Sequence, residues 1–120
     1  MTMTMRKHSN LEWKLAQLRA EFAVWLPDRI NRVLGHWQAC KEHREVARPR
    51  LHADLHALVG TSATYGYRTL SDEAAKLSEL LQVVEAGGWP FGTAQERELD
   101  KAFEHLAEMA QHTALMAGSS

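Results

Sequence analysis

Apolar residues recur at three- and four-residue spacing along almost the whole chain, and this periodicity limits the fold more than any other feature. Leu11, Leu15, Leu18 and Phe22 form the first such stripe, and comparable stripes follow to about residue 113. This spacing places side chains on one face of an α-helix, whereas a half-buried strand would show alternation, which we do not find. The sequence therefore predicts an all-α protein.

Proline, glycine and capping residues divide this periodic sequence into helices. Pro27 interrupts the first stripe, so we expect a short N-terminal helix before it. Four longer helices are predicted at 27–43, 49–65, 71–86 and 94–115. Helices of this length with short connections are typical of an antiparallel, up-down-up-down four-helix bundle, here with the short first helix as a cap.

The length of 120 residues fits a single domain, with a core of about 11–115 and frayed ends at 1–8 and 117–120. The chain is 45% hydrophobic and has four tryptophans, all of which we expect in the core or the cap. The single cysteine, Cys40, excludes an intrachain disulfide and a cysteine-based metal cluster. No apolar run resembles a signal peptide or a membrane span, so a cytoplasmic protein that does not enter the membrane is the default expectation.

Charge is unevenly distributed along the chain, although the net charge is only -1. Residues 1–68 contain 11 Lys and Arg against six Asp and Glu, whereas residues 69–120 contain three against nine. A nucleic-acid-binding domain would need a basic excess overall, so we expect no nucleic-acid partner. This separation of basic and acidic residues along the chain is more typical of a protein that recognises another protein.

The predicted helix at 49–65 has two distinct faces. Its core face is formed by Leu51, Leu55, Leu58 and Ser62. A second, solvent-facing stripe contains His52, His56, Gly60 and Ala63, at spacings of four, four and three residues. Since glycine has no side chain and alanine has a short one, a second protein could bring its backbone close to the His56 ring.

An exposed imidazole can act as a nucleophile and exchange protons near neutral pH. We find neither a Ser or Cys nucleophile paired with His56 nor a glycine-rich phosphate loop, so no nucleotide site is predicted. A reactive histidine without a nucleotide site indicates a group carrier whose chemistry is supplied by partners.

The segment "HALVGTSATYG", His56 to Gly66, resembles the signature of histidine-containing phosphotransfer (HPt) domains. That pattern is His, any residue, Leu, Lys, Gly, any residue, Ser or Ala, three variable positions and Gly. The chain matches it at His56, Leu58, Gly60, Ser62 and Gly66. It departs from the pattern at position 59, where valine replaces the usual lysine. The resemblance extends over roughly residues 11–110.

The resemblance implies a four-helix bundle with an N-terminal helix over one end. It implies that His56 is the phosphoacceptor of a phosphorelay intermediate, which receives a phosphoryl group from one receiver-domain aspartate and passes it to another. The expected docking face for the receiver is formed by His52, Val59, Gly60 and Ala63. The partner would be the receiver domain of a response regulator or hybrid histidine kinase.

The chain would have no kinase activity and no cofactor of its own, with Mg²⁺ on the receiver, and would act as a monomer. Without the lysine, transfer could instead have become slow, which leaves a second hypothesis: a non-catalytic docking module that regulates a receiver or kinase. Arg48, Arg50 and Arg68 are candidates to replace the missing charge. The i, i+4 spacing of His52 and His56 could hold a metal ion, but two ligands alone make a weak site, so we expect none.

Overall fold

The computed structural model describes the backbone of residues 2–118 and the side chains of residues 10–117. The described chain forms four α-helices and no strand, as the periodicity predicts: α1 (Thr2–Lys41), α2 (Ala47–Thr64), α3 (Arg68–Ala86) and α4 (Thr93–Gly118). The expected frayed ends fall partly on residues 1, 119 and 120, which lie outside the described residues. The helices α1 and α4 run through the rest of both expected ends.

The prediction of a separate N-terminal capping helix is wrong, because α1 continues through Pro27 without a break. Proline inside a helix removes one hydrogen bond and clashes with the preceding turn, at a cost of about 3 kcal/mol. Burial on both sides offsets that cost: Phe22 and Leu26 precede the proline in the core, and Ile30 and Val33 follow it. The proline by itself favours a break in the helix, but the packing of the flanking residues in the core outweighs this preference.

Each helix contacts two others, so the four helices form a closed ring in which α1 and α3 are diagonal, as are α2 and α4. The core fills the centre of this ring with leucines, Phe103 and Trp37. The Trp37 ring stacks on Phe103 at 4.8 Å between centroids, and its indole nitrogen donates to Asp100 at 2.8 Å. These contacts join α1 to α4.

The N-terminal part of α1 projects beyond the other helices. Forty residues at about 1.5 Å each give a rod of about 60 Å, close to the 62 Å long axis of the molecule. The expectation that all four tryptophans belong to the core or the cap is therefore wrong for two of them. Trp13 and Trp25 are 68% and 60% exposed, whereas Trp37 is buried and Trp89 is half-buried.

No helix among residues 2–118 is both long enough and apolar enough to cross a membrane.

Candidate functional site

Helix α2 presents His56 to solvent from the middle of its length. Leu51, Leu55, Leu58 and Ser62 are buried on the opposite side of the helix, as the wheel predicts. The His56 side chain is exposed and makes no hydrogen bond or ion pair with a described residue. Its imidazole is therefore free to meet a partner.

The helix surface around His56 is formed by small side chains. Ala53, Ala57, Gly60 and Ala63 are all exposed and lie within two turns of the histidine. A Cβ atom added at Gly60 would meet no atom of the rest of the protein within 4 Å. This small-residue face therefore leaves the imidazole as its only reactive group, with room for another protein above it.

Two of the predicted docking residues lie at the edge of this face that is nearest to α3. Val59 is half-buried and packs against the core, and its carbonyl accepts a hydrogen bond from Ser71 Oγ at 2.8 Å. His52 is half-buried, and its Nε2 atom bonds to Glu85 on α3. His52 and Val59 therefore border the small-residue face, while Gly60 and Ala63 lie within it.

The end of α2 follows directly from the glycine of the motif. Gly66 has φ +84°, a left-handed conformation that is strained for other residues. The amide of Gly66 donates to the Ala63 carbonyl at 3.1 Å, and the amide of Tyr67 donates to the Ser62 carbonyl at 2.8 Å. This is the Schellman pattern, which satisfies the last carbonyls of a helix and turns the chain toward α3.

None of the three arginines considered as replacements for the missing lysine contacts His56. Arg48 pairs with Glu85 at 2.6 Å, and its guanidinium lies 4.3 Å from the centre of the Trp89 ring. Arg68 lines a groove between α1 and α4. Arg50 lines a cavity between α1 and α2.

Two arginines that the sequence analysis did not identify border the site from α1. Arg29 and Arg32 line a small cavity together with Asp54 and Ala57, and Ala57 adjoins His56. Their spacing of three residues places them on one face of α1, which is visible in the sequence. That this face meets α2 depends on how the helices pack, which a single sequence does not show.

Cys40 is unsuited to act as a nucleophile. It is 3% exposed, and burial, followed by the charge of Glu85, raises the pKa of its thiol to about 11. The thiol therefore stays protonated at neutral pH, and the thiolate is the reactive form. Among the described residues, no group of three or more His, Cys, Asp or Glu side chains could hold a metal ion.

Comparison with protein-family models, with curated proteins and with solved structures found no match to this chain.

Proposed function

We propose that this protein is a phosphorelay intermediate that carries a phosphoryl group on His56 between the aspartates of two receiver domains. The observation that supports this most is that His56 is exposed on a face of small residues, in a motif whose other positions lie where the resemblance needs them. His56 is exposed, Leu58 and Ser62 are buried, the space above Gly60 is open, and Gly66 is left-handed.

The proposed transfer needs little from the bundle except a positioned nucleophile. An unprotonated ring nitrogen of His56 attacks the phosphorus of the aspartyl phosphate on the first receiver. The N–P bond forms as the bond from phosphorus to the aspartate oxygen breaks, and the aspartate leaves as a carboxylate. The second receiver reverses these steps with its own aspartate, and the receivers supply Mg²⁺ to neutralise phosphoryl charge.

We also propose that the bundle is antiparallel, in up-down-up-down order. Contacts between opposite helix ends support this: Arg48 near the start of α2 pairs with Glu85 near the end of α3. At the other end of the same two helices, Ser71 of α3 bonds to the carbonyl of Val59. The proposed working form is a cytoplasmic monomer.

A docking-only module is the second candidate function, and the surroundings of Val59 favour it. Valine offers no positive charge, and Arg48, one of the possible substitutes, is bound to Glu85. A phosphoryl group on His56 would then have no cation at the position of the family's lysine, and the nearest basic residues that border the site are Arg29 and Arg32 on the side of Ala57. Such a module would bind a receiver or kinase and regulate it without accepting phosphate.

One experiment separates the two functions. Phosphorylated receiver domains are incubated with the wild-type protein and with His56→Gln, and both binding and label transfer are measured. The relay predicts label on the wild type, none on His56→Gln, and similar binding by both. Binding without label on the wild type would support the docking module instead.

A further inference from the structure

A basic cavity lies between α1 and α2, toward the start of α2. It has a volume of about 610 Å³ and is lined by Arg32, His36, Arg44 and Arg50. The remaining lining residues are small or apolar, including Ala39 and Ala47. The cavity thus has three arginines around an apolar floor and no acidic side chain in its lining.

These arginines are not neutralised within the described part of the chain. Arg32, Arg44 and Arg50 make no ion pair there, in contrast to Arg48, which is bound to Glu85. His36 lies 3.4 Å from Asp54, and Glu45 lies in the chain between the lining residues Arg44 and Val46. The start of α2 adds to the positive potential, because Val46 provides no side-chain cap and the first turn has no acidic residue.

The cavity is close enough to His56 to be covered by the same partner. Arg50 precedes His56 by six residues, which is about 9 Å along the helix axis and about 120° around it. Arg32 lines both this cavity and the smaller one beside Ala57, so the basic surface reaches the neighbour of His56. A protein interface of ordinary size covers about 800 Å² per partner, a patch with a radius of roughly 16 Å.

Helix α3, on the other side of α2, is acidic in sequence, but two of its carboxylates are paired. Glu85 is bound by Arg48 and His52, and Glu73 pairs with His105 on α4. The arginines of the cavity, in contrast, make no ion pair with a described residue. Unpaired positive charge on the α1 side of His56 would fix the orientation of an acidic partner.

We propose that the cavity lined by Arg32, Arg44 and Arg50 is the anchor for an acidic surface segment of the receiver that docks on His56. This inference rests on the proposed receiver partner and adds what that partner must carry: carboxylates placed about 9 to 15 Å from its reactive aspartate. The anchor selects among receivers and sets their orientation. It takes no part in the transfer itself.

The test is a double charge reversal with a matched control. Arg32→Glu with Arg50→Glu changes the cavity, whereas Arg97→Glu with Lys101→Glu makes the same change in net charge on α4. Both control residues are exposed, and α4 is diagonal to α2. Binding of a panel of receiver domains and label transfer to His56 are measured at low and high salt, with folding checked by circular dichroism.

We expect the cavity variant to bind its receiver roughly tenfold or more weakly at low salt, and to lose most of the salt dependence of binding. The α4 control should bind like the wild type. Equal weakening by both variants, or by neither, would overturn the anchor while leaving transfer to His56 intact. Selective weakening without any label on wild-type His56 would support the anchor and overturn the carrier function, and binding of no receiver to the wild type would overturn both.

Discussion

Gly60 has no evident purpose within its own fold. It lies in the interior of α2, where glycine costs about 1 kcal/mol relative to alanine. Its φ is not left-handed, and a Cβ atom there would meet no atom of the rest of the protein within 4 Å. Packing therefore does not require a glycine at this position, whereas close approach of the proposed partner to His56 would.

A Gly60→Gln substitution should separate stability from docking. We expect a folded protein that is more stable by a few tenths to about 1 kcal/mol, since glutamine is a good helix former. Receiver binding and label transfer should be blocked, because the new side chain covers the approach to His56. Ala94→Gln, at an exposed position on α4, is the control, and transfer to Gly60→Gln at the wild-type rate would show that the docking face lies elsewhere.

Val59 marks the departure from the HPt pattern, and its position limits what a charge there can do. It is half-buried beside α3, so the stem of a lysine would lie along apolar surface while the ammonium reached solvent. A screened contact of this kind contributes about 1 kcal/mol or less.

We therefore expect Val59→Lys to change the transfer rate or the phosphohistidine lifetime by no more than about tenfold. The time course of label on both proteins measures this, with Val83→Lys on the exposed side of α3 as the control. If only Val59→Lys takes up label, from receivers that also bind the wild type, then the wild type is a docking module.

At the scale of the helices, a substitution at Pro27 distinguishes between two arrangements of the N-terminal region. In a continuous α1 the proline is an interior residue, and replacing it restores a hydrogen bond and removes a clash. At the first turn of a separate helix the same proline would be harmless.

Pro27→Ala should therefore raise the free energy of unfolding by about 2 kcal/mol, after allowing for the greater freedom of alanine in the unfolded chain. Urea unfolding followed by circular dichroism measures the change. An unchanged or lower stability would indicate that the chain breaks at Pro27 and that the short N-terminal helix exists after all.

The contact between α1 and α4 depends on pH through Asp100. Burial opposes its charge, but hydrogen bonds from Lys41 and Trp37, together with the charge of Lys41, hold the pKa of this carboxyl below its usual value. A carboxyl with a lowered pKa in the folded state stabilises the protein above its unfolded pKa of about 3.9. That contribution disappears as the pH falls through the folded pKa.

We expect Asp100→Asn to lose about 1 kcal/mol or less at pH 7, because the carboxylate is more than a third exposed. The asparagine oxygen can still accept both hydrogen bonds. The difference in the free energy of unfolding between the two proteins therefore reports the charge alone. Unfolding curves of both proteins should converge as the pH is lowered from 5 to about 3. A difference that stayed constant over this range would mean that the charge does not contribute.

How far the sequence predicts this structure varies with the physical origin of each feature. The limits of α2 and α3 were predicted within three residues, because apolar periodicity and Gly66 are local signals. The continuity of α1 through Pro27 was not predicted, because the burial of Leu26 and Ile30 outweighs the effect of a local helix breaker. The left-handed φ of 61° at His43, just after α1, also has no signal in the sequence.

The candidate site was predictable in its centre and not at its borders. The exposure of His56, Gly60 and Ala63 follows from a single helical wheel. The engagement of His52 and Arg48 by Glu85 joins residues 33 and 37 positions apart, so it depends on the packing of two helices. The arginines of α1 border the site because α1 packs against α2, which also depends on the packing of two helices.

For the molecule as a whole, the basic half of the sequence provides arginines on one side of His56. Helix α2 carries His56, and Arg29 and Arg32 of α1 line the small cavity beside its neighbour Ala57. Beyond this surface the described chain offers the imidazole no partner. The proposed carrier would therefore be a passive scaffold whose reactivity is completed by another protein.

The most direct test of the central claim is the mass of the intact protein after incubation with phosphorylated receiver domains. The carrier function predicts the addition of one phosphoryl group, located on His56 by fragmentation, labile in acid, absent from His56→Gln, and lost again when an unphosphorylated receiver is added. A phosphoryl group on any other residue, or an unchanged mass with every receiver that binds, would contradict it.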